Sequence, residues 1–225
     1  MKKILYVFGV LLLLMAVNAW ADVSDFDLVT GNSAISGFTG PYAHVEVNLT
    51  DSTHATITFT SLTNSGNIYL MGGEGSVGVN VNATSWTIGS FTGSNSGTGF
   101  TPGPYSDGGA GNEGGFGSFN QTVTSFDGFT HSADEISFLL TDTSGTWADA
   151  ASVLAANADG HLAAAHIFVT SSPANAQNGA IVTGFASGSE TTGAPPGHAP
   201  EPATMILLGS GLLGLAGYAR KRMKK

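Results

Sequence analysis

Paired carboxylates are the first residues in this sequence that could do chemistry, because most glycosidases act with two of them across a cleft. Asp134 and Glu135 form the adjacent pair. Neighbouring side chains of a strand point to opposite faces, so a strand here would keep these carboxylates apart. The chain also contains no Gly-x-Ser-x-Gly and no His-Glu-x-x-His motif. We therefore predict no catalytic residues and no enzyme activity, with a glycan-active enzyme as the less favoured alternative.

Metal ligands are available but scattered. There is no cysteine, and only His161 and His166 are close together among the six histidines, which we interpret as surface or turn residues. Carboxylates are abundant, and calcium prefers such oxygen ligands. The weak calcium candidates are Asp22, Asp25, Asp27, Asp134 and Glu135. Because no Asp-x-Asp-x-Asp-Gly loop occurs, diffuse screening by ions is favoured, and the sequence predicts no cofactor.

Charge is distributed very unevenly along the chain. Of seven Lys and Arg residues, two lie at positions 2–3 and five at positions 220–225, so the segment between residues 22 and 200 has none. Such an acidic body cannot neutralise phosphates, which excludes nucleic acid and anionic lipid as its partners. It also lacks the bases that phosphoryl transfer and the binding of anionic substrates require.

The body shows strand periodicity. Apolar residues alternate with polar ones over 45–49 and 55–59, and the turn residues between them predict an antiparallel hairpin. Repetition of this pattern predicts an all-β fold over 22–188, a single antiparallel sandwich that is jelly-roll-like. Ten glycines in the twenty-five residues of 93–117 predict a long exposed loop. Helical spacing predicts one short helix at about 147–157.

Aromatic side chains offer the other route to sugar binding, by stacking on a sheet face. The candidates are Tyr42, Tyr69, Trp86, Tyr105 and Trp147. We expect most of them to be core residues. Tyr105, which lies inside the glycine-rich segment, is the exception we single out.

Both ends of the chain resemble targeting segments. Residues 1–21 combine two lysines, an apolar run and Ala19-Trp20-Ala21, which is typical of a cleaved signal peptide. Beyond a flexible stalk predicted at 189–199, the apolar run 203–219 predicts a short transmembrane helix, and the basic end 220–225 should stay on the cytoplasmic side. The body is thus expected outside the inner membrane.

The order Pro200-Glu201-Pro202, apolar helix and basic end with Arg220, Lys221 and Arg222 resembles the PEP-CTERM sorting signal over residues 200–225. This resemblance implies recognition by an exosortase-type membrane protease, transient anchoring in the inner membrane, and release to the cell surface or extracellular matrix. We expect a structural or adhesive protein of the exopolysaccharide or biofilm matrix. A carbohydrate-binding module is the alternative, and extracellular polysaccharide is the candidate partner.

Overall fold

A computed structural model of the chain describes residues 22–126 and 128–189. The described residues form one compact unit. The predicted signal peptide, nearly all of the predicted stalk and the whole sorting signal lie outside the described residues. The structure therefore does not test the roles predicted for Pro200, Glu201, Pro202, Arg220, Lys221 and Arg222.

Thirteen antiparallel strands of the described part form two sheets. The first sheet has the order β1-β3-β4-β11-β8, made of β1 Asp22–Leu28, β3 Ala43–Asp51, β4 His54–Ser61, β8 Trp86–Ser94 and β11 Glu135–Asp142. The second has the path β2-β13-β12-β7-β10-β9, with β6 pairing β12 and β5 pairing β6. Its strands are β2 Thr30–Gly31, β5 Thr63–Asn64, β6 Asn67–Met71, β7 Val77–Val79, β9 Tyr105–Asn112, β10 Ser118–Ser125, β12 Ala163–Ser171 and β13 Val182–Gly188.

The predicted hairpin is present as β3 and β4. Val45 lies opposite Phe59 and Val47 opposite Ile57, so the apolar positions of both strands share one face. The Asp51 carboxylate closes the connection, because its Oδ1 accepts hydrogen bonds from the backbone N–H groups of Thr53 at 2.8 Å and His54 at 3.0 Å. Local turn chemistry and alternation therefore specify the same register.

One hydrophobic core joins the two sheets. It contains Val45, Ile57 and Phe138 from the first sheet together with Val79 and Ile167 from the second, all buried. Apolar faces from two sheets meeting in one cluster fit a β-sandwich, and the all-β prediction is confirmed. The finer jelly-roll assignment stays a prediction.

The second sheet is covered on its other face as well. Along β12, Ala163, Ala165 and Ile167 belong to the main core, whereas Ala164 and Phe168 belong to two smaller clusters. Because successive strand residues point to opposite faces, these smaller clusters lie on the outward side of the sheet. Loops therefore add apolar cover where one sheet face would otherwise contact water.

The prediction of a long loop over 93–117 is wrong. Residues 93–94 end β8, and 105–112 form the mostly exposed strand β9, which pairs with β10 at the edge of its sheet. Backbone hydrogen bonds to β10 hold the chain extended without requiring apolar side chains. Glycine-rich composition indicated exposure here but not the absence of pairing.

The predicted helix at about 147–157 is also wrong, because only a single 3-10 turn forms, at Ala150–Ser152. Asp149 caps it by accepting a hydrogen bond from the Ser152 N–H. Beyond the turn, the chain is held extended by hydrogen bonds between Val153 and Asn82 and between Ala155 and Asn80. The helical spacing of this segment is a weak local preference. Backbone pairing with residues 80–82, after β7, determines its conformation instead.

Three further 3-10 turns occur at Ser33–Ile35, Phe129–His131 and Ala176–Asn178. Within residues 22–126 and 128–189 no helix is long and apolar enough to cross a membrane. The transmembrane helix predicted at 203–219 lies outside those ranges.

Candidate functional site

A polar cleft lies at one end of the first sheet, where β11 ends. The loop 142–146 forms one side of the cleft, and the segment 80–84 that follows β7 forms the other. Its volume is about 440 Å³, which is within the size range of small-ligand sites. The side chains that line it are amides, hydroxyls and one carboxylate, with only small apolar groups between them. We refer to it as the polar cleft.

Asp142 is the charged residue of the polar cleft, and it is 7% exposed. Its Oδ1 accepts hydrogen bonds from the N–H groups of Ser144 and Gly145, both at 2.8 Å, and from the Ser144 hydroxyl at 3.1 Å. These bonds, with that from the Ser144 N–H the strongest, lower the pKa of Asp142, so the group stays ionised. Its Oδ2 accepts no hydrogen bond from the described residues.

Two asparagines line the other side of the polar cleft. Asn82 donates from Nδ2 to the Ser152 carbonyl at 2.9 Å, and Asn80 donates to the Ala156 carbonyl at 3.4 Å. Beneath them, the indole N–H of Trp147 donates to the Asn82 carbonyl at 2.9 Å. One N–H of each side-chain amide is thus bonded to the protein, which orients the amide and leaves its side-chain oxygen as an acceptor.

The predicted calcium candidates near the N-terminus have protein partners. Asp22 accepts a hydrogen bond from the Ala150 N–H at 2.7 Å. Asp27 Oδ1 lies 2.8 Å from His44 Nδ1, and Asp25 Oδ2 lies 4.0 Å from His44 Nε2. Strand pairing explains this arrangement, because Asp27 lies directly opposite His44. The two aspartates therefore flank a histidine on an open sheet face.

The other candidate pair, Asp134 and Glu135, is not joined to that group. Asp134 Oδ2 accepts from the N–H of Ser96 at 2.6 Å and from its hydroxyl at 2.5 Å. Glu135 begins β11 and is exposed. Among residues 22–126 and 128–189, no group of three or more His, Asp or Glu side chains could hold a metal ion. The five calcium candidates therefore do not converge on one site in the described part of the chain.

One serine–histidine pair has the geometry of a nucleophile and its base. Ser187 Oγ lies 3.1 Å from His161 Nδ1. Ser187 is completely buried, however, and a Phe116 ring packs against His161 with 5.1 Å between ring centroids. A substrate therefore has no access to this hydroxyl.

The aromatic residues singled out in the sequence are core residues. Tyr42, Tyr69 and Trp147 are buried, and Trp86 and Tyr105 are partly buried against the main core. Burial raises the pKa of Tyr105 to about 12, with the nearby Asp134 carboxylate as a smaller cause. This confirms the expectation that most of the five belong to the core.

Sequence reasoning missed a buried acid, Glu113. It is 1% exposed, and neither carboxylate oxygen has a hydrogen-bond partner in the described part. The side chain occupies space left by two glycines, since a Cβ at Gly75 would lie 2.7 Å and one at Gly78 3.2 Å from Oε1. Burial raises the pKa of Glu113 to about 8. Its glycine-rich surroundings, which indicate a surface turn, gave no signal for this position.

A row of rings on the outward face of the second sheet was also missed. His166 stacks on Phe185 with centroids 4.7 Å apart, and lies 4.9 Å from Phe168. Phe129 continues the row 6.0 Å from Phe168, and Phe100 follows 5.2 Å from Phe129. These residues come from loops and strands far apart in sequence, so no local pattern connects them.

Comparison with known proteins identifies the C-terminal region. Residues 198–222 match the model of the PEP-CTERM protein-sorting motif. The match confirms the resemblance drawn from Pro200, Glu201 and Pro202. It implies an exported protein that an exosortase processes at the membrane, anchored there transiently before release to the surface. No curated protein and no solved structure was found to be similar to the chain.

Proposed function

We propose that this is a structural or adhesive, non-enzymatic component of the cell surface or exopolysaccharide matrix, delivered by PEP-CTERM processing. The single observation that carries the proposal is the sorting-motif match at residues 198–222, which extends into the basic end 220–225. The mature protein begins after the predicted signal peptide 1–21 and ends near residue 200. Extracellular polysaccharide is its partner, and the motif brings it to an exosortase first.

The chemistry of the body supports a role without catalysis. The Asp134 carboxylate is occupied by two hydrogen bonds from Ser96, and the Ser187 hydroxyl is buried beneath the surface. A nucleophile must reach its substrate, and the burial of the Ser187 hydroxyl supports the proposal on this point. We propose accordingly that the body needs neither a cofactor nor a metal.

Charge supports the choice of partner. The body has fifteen carboxylates and no Lys or Arg, so nucleic acid and anionic lipid are not its ligands. A neutral polysaccharide brings no charge to be neutralised. It can be held by hydrogen bonds to amides, hydroxyls and carboxylates, and the polar cleft presents all three kinds of group.

The alternative function, a carbohydrate-binding module, is favoured by the polar cleft itself. Fractionation of cultures tests the proposed role. We expect the processed protein in the polysaccharide matrix, and a strain that lacks the chain should show a matrix that is weaker or less well retained. Protein found only inside the cells, with an unchanged matrix in the deletion strain, would contradict the proposal.

A further inference from the structure

The polar cleft contains a carboxylate oxygen that accepts no hydrogen bond from the described residues and is open to the cleft. Asp142 is 7% exposed and its Oδ1 already accepts three hydrogen bonds, whereas Oδ2 accepts none from the described residues. An ionised carboxylate accepts hydrogen bonds at both oxygens, so Oδ2 is available to a donor from a ligand. The unused oxygen therefore marks the floor of the polar cleft as the place where a hydrogen-bond donor belongs.

The opposite side of the polar cleft presents acceptors as well. One side-chain N–H of Asn80 donates to the Ala156 carbonyl and one of Asn82 to the Ser152 carbonyl, which leaves both side-chain oxygens for a ligand. The orientation of Asn82 is further fixed at its carbonyl by Trp147. Side chains that are already fixed in this way lose little conformational entropy when a ligand binds.

The set of groups selects the chemistry of the ligand. A lining rich in acceptors and without any cation suits a ligand that donates from several hydroxyl groups and carries no negative charge. A volume of about 440 Å³ has room for a sugar unit and is much larger than a single ion requires. Ala83 and Ala155 supply small apolar surface for the carbon face of a sugar ring.

We propose that the polar cleft between 80–84 and 142–146 is a binding site for a neutral glycan, with Asp142 Oδ2 and the side-chain oxygens of Asn80 and Asn82 accepting hydrogen bonds from sugar hydroxyls. The inference rests on the proposed function, since it names the surface through which the body contacts polysaccharide. Processing of the tail is independent of it. A failure to bind glycan therefore leaves the sorting claim intact, and the reverse also holds.

Two tryptophans provide the readout. Trp147 contacts Asn82, and Trp86 lies opposite Asp142 in the pairing of β8 with β11. The third tryptophan of the chain, Trp20, lies in the predicted signal peptide. In the processed protein, a change in tryptophan fluorescence therefore reports on the surroundings of the polar cleft.

The variants separate the site from the fold. Asp142→Asn keeps one oxygen for the loop and replaces the other with an amide N–H group. Gly145→Leu acts independently, because a Cβ there would lie 3.4 Å from Asp142 Oδ2 in ordinary contact and at no strained φ, so the longer side chain covers the oxygen. Glu135→Gln is the matched control, since it removes one charge from the opposite end of the same strand.

The experiment titrates processed protein, recovered from outside the cells, with neutral tetrasaccharides of glucose, mannose and galactose, by calorimetry and tryptophan fluorescence. We expect at least one neutral tetrasaccharide to bind, with Asp142→Asn and Gly145→Leu each weakening affinity about tenfold or more and Glu135→Gln leaving it unchanged. Tetragalacturonate should not bind. Melting curves establish that each variant is folded.

Three results would overturn the proposal. The first is that none of the neutral tetrasaccharides binds at millimolar concentration. The second is binding that both cleft variants leave unchanged, which places the glycan elsewhere. The third is binding that a calcium chelator abolishes, since the cleft oxygens would then hold a metal ion instead of sugar hydroxyls.

Discussion

The body of the chain and its two ends contrast most clearly in charge. All seven Lys and Arg residues lie within residues 1–21 and 201–225, whereas the body carries fifteen carboxylates and neither base. Each group of bases adjoins an apolar run of the sequence, which is the arrangement predicted for a signal peptide and for a membrane anchor. The body is stabilised without them, by the core between two sheets and by backbone donors that hold individual carboxylates. The fold of the described body therefore contains no Lys or Arg, and three of the seven bases lie within the matched sorting motif.

The largest effect expected from this difference in charge is resistance of the processed body to trypsin. Because trypsin cleaves after Lys and Arg, the processed body should remain intact even when it is unfolded by heat in urea. Electrophoresis after digestion measures this directly. A protease that cleaves after acidic residues serves as the control and should reduce the same sample to fragments. Discrete tryptic fragments would mean that the mature protein retains sequence from one of its ends.

A second prediction concerns Glu113, the buried carboxyl group whose oxygens have no hydrogen-bond partner in the described residues. The pKa of Glu113 is raised to about 8 from an ordinary 4.5, so the folded protein holds a proton that the unfolded chain releases between these values. The free energy of unfolding should then fall as pH rises from 4.5 to 8, by on the order of a few kcal/mol. Denaturant unfolding at a series of pH values measures this.

The variant Glu113→Gln sharpens that test, because it keeps the shape of the side chain without its proton equilibrium. We expect its stability to be nearly independent of pH over the same range, whereas Glu135→Gln, at an exposed position, should follow the wild type. Asp51 and Asp142 affect stability in a different pH range. Their pKa values are lowered in the folded protein, so the stabilisation they give is lost only as pH falls below about 3.8. Identical pH profiles for wild type and Glu113→Gln would contradict the assignment.

Calcium should give the smallest effect. Fifteen carboxylates that repel one another are screened by any salt, whereas a specific site prefers one ion. Because the five calcium candidates do not converge on one site in the described residues, we expect a modest rise in melting temperature, similar for calcium, magnesium and sodium at matched ionic strength. Saturation of a real site at a hundred times its dissociation constant adds about 2.7 kcal/mol. A shift of several degrees with calcium alone would show such a site.

The sequence predicted well those features that depend on neighbours along the chain. The β3–β4 hairpin follows from alternation and from one aspartate turn, and the all-β class follows from repetition of that pattern. The glycine-rich strand β9 and the extended chain after residue 152 could not be predicted in the same way. Their conformation depends on pairing with β10 and with residues 80–82, which are distant in sequence.

The candidate sites also differ in whether they depend on neighbouring residues in the sequence or on residues brought together by the fold. Asp142 was missed because a single aspartate before a serine and a glycine is an ordinary turn pattern, and only the fold brings it opposite Asn80 and Asn82. Glu113 was missed because its burial depends on glycines in the loop before β7. The sorting motif was predicted because its signal is contiguous, from Pro200 to the basic end, and needs no fold to be recognised.

Intact mass spectrometry of protein recovered from outside the cell tests the central claim, which is delivery by C-terminal processing. We predict a mass that lacks Ala203–Lys225, and we predict that replacement of Pro200, Glu201 and Pro202 by alanine keeps the full tail on protein in the membrane fraction. Released protein that retains the complete tail, or release that the alanine variant leaves unchanged, would contradict the account.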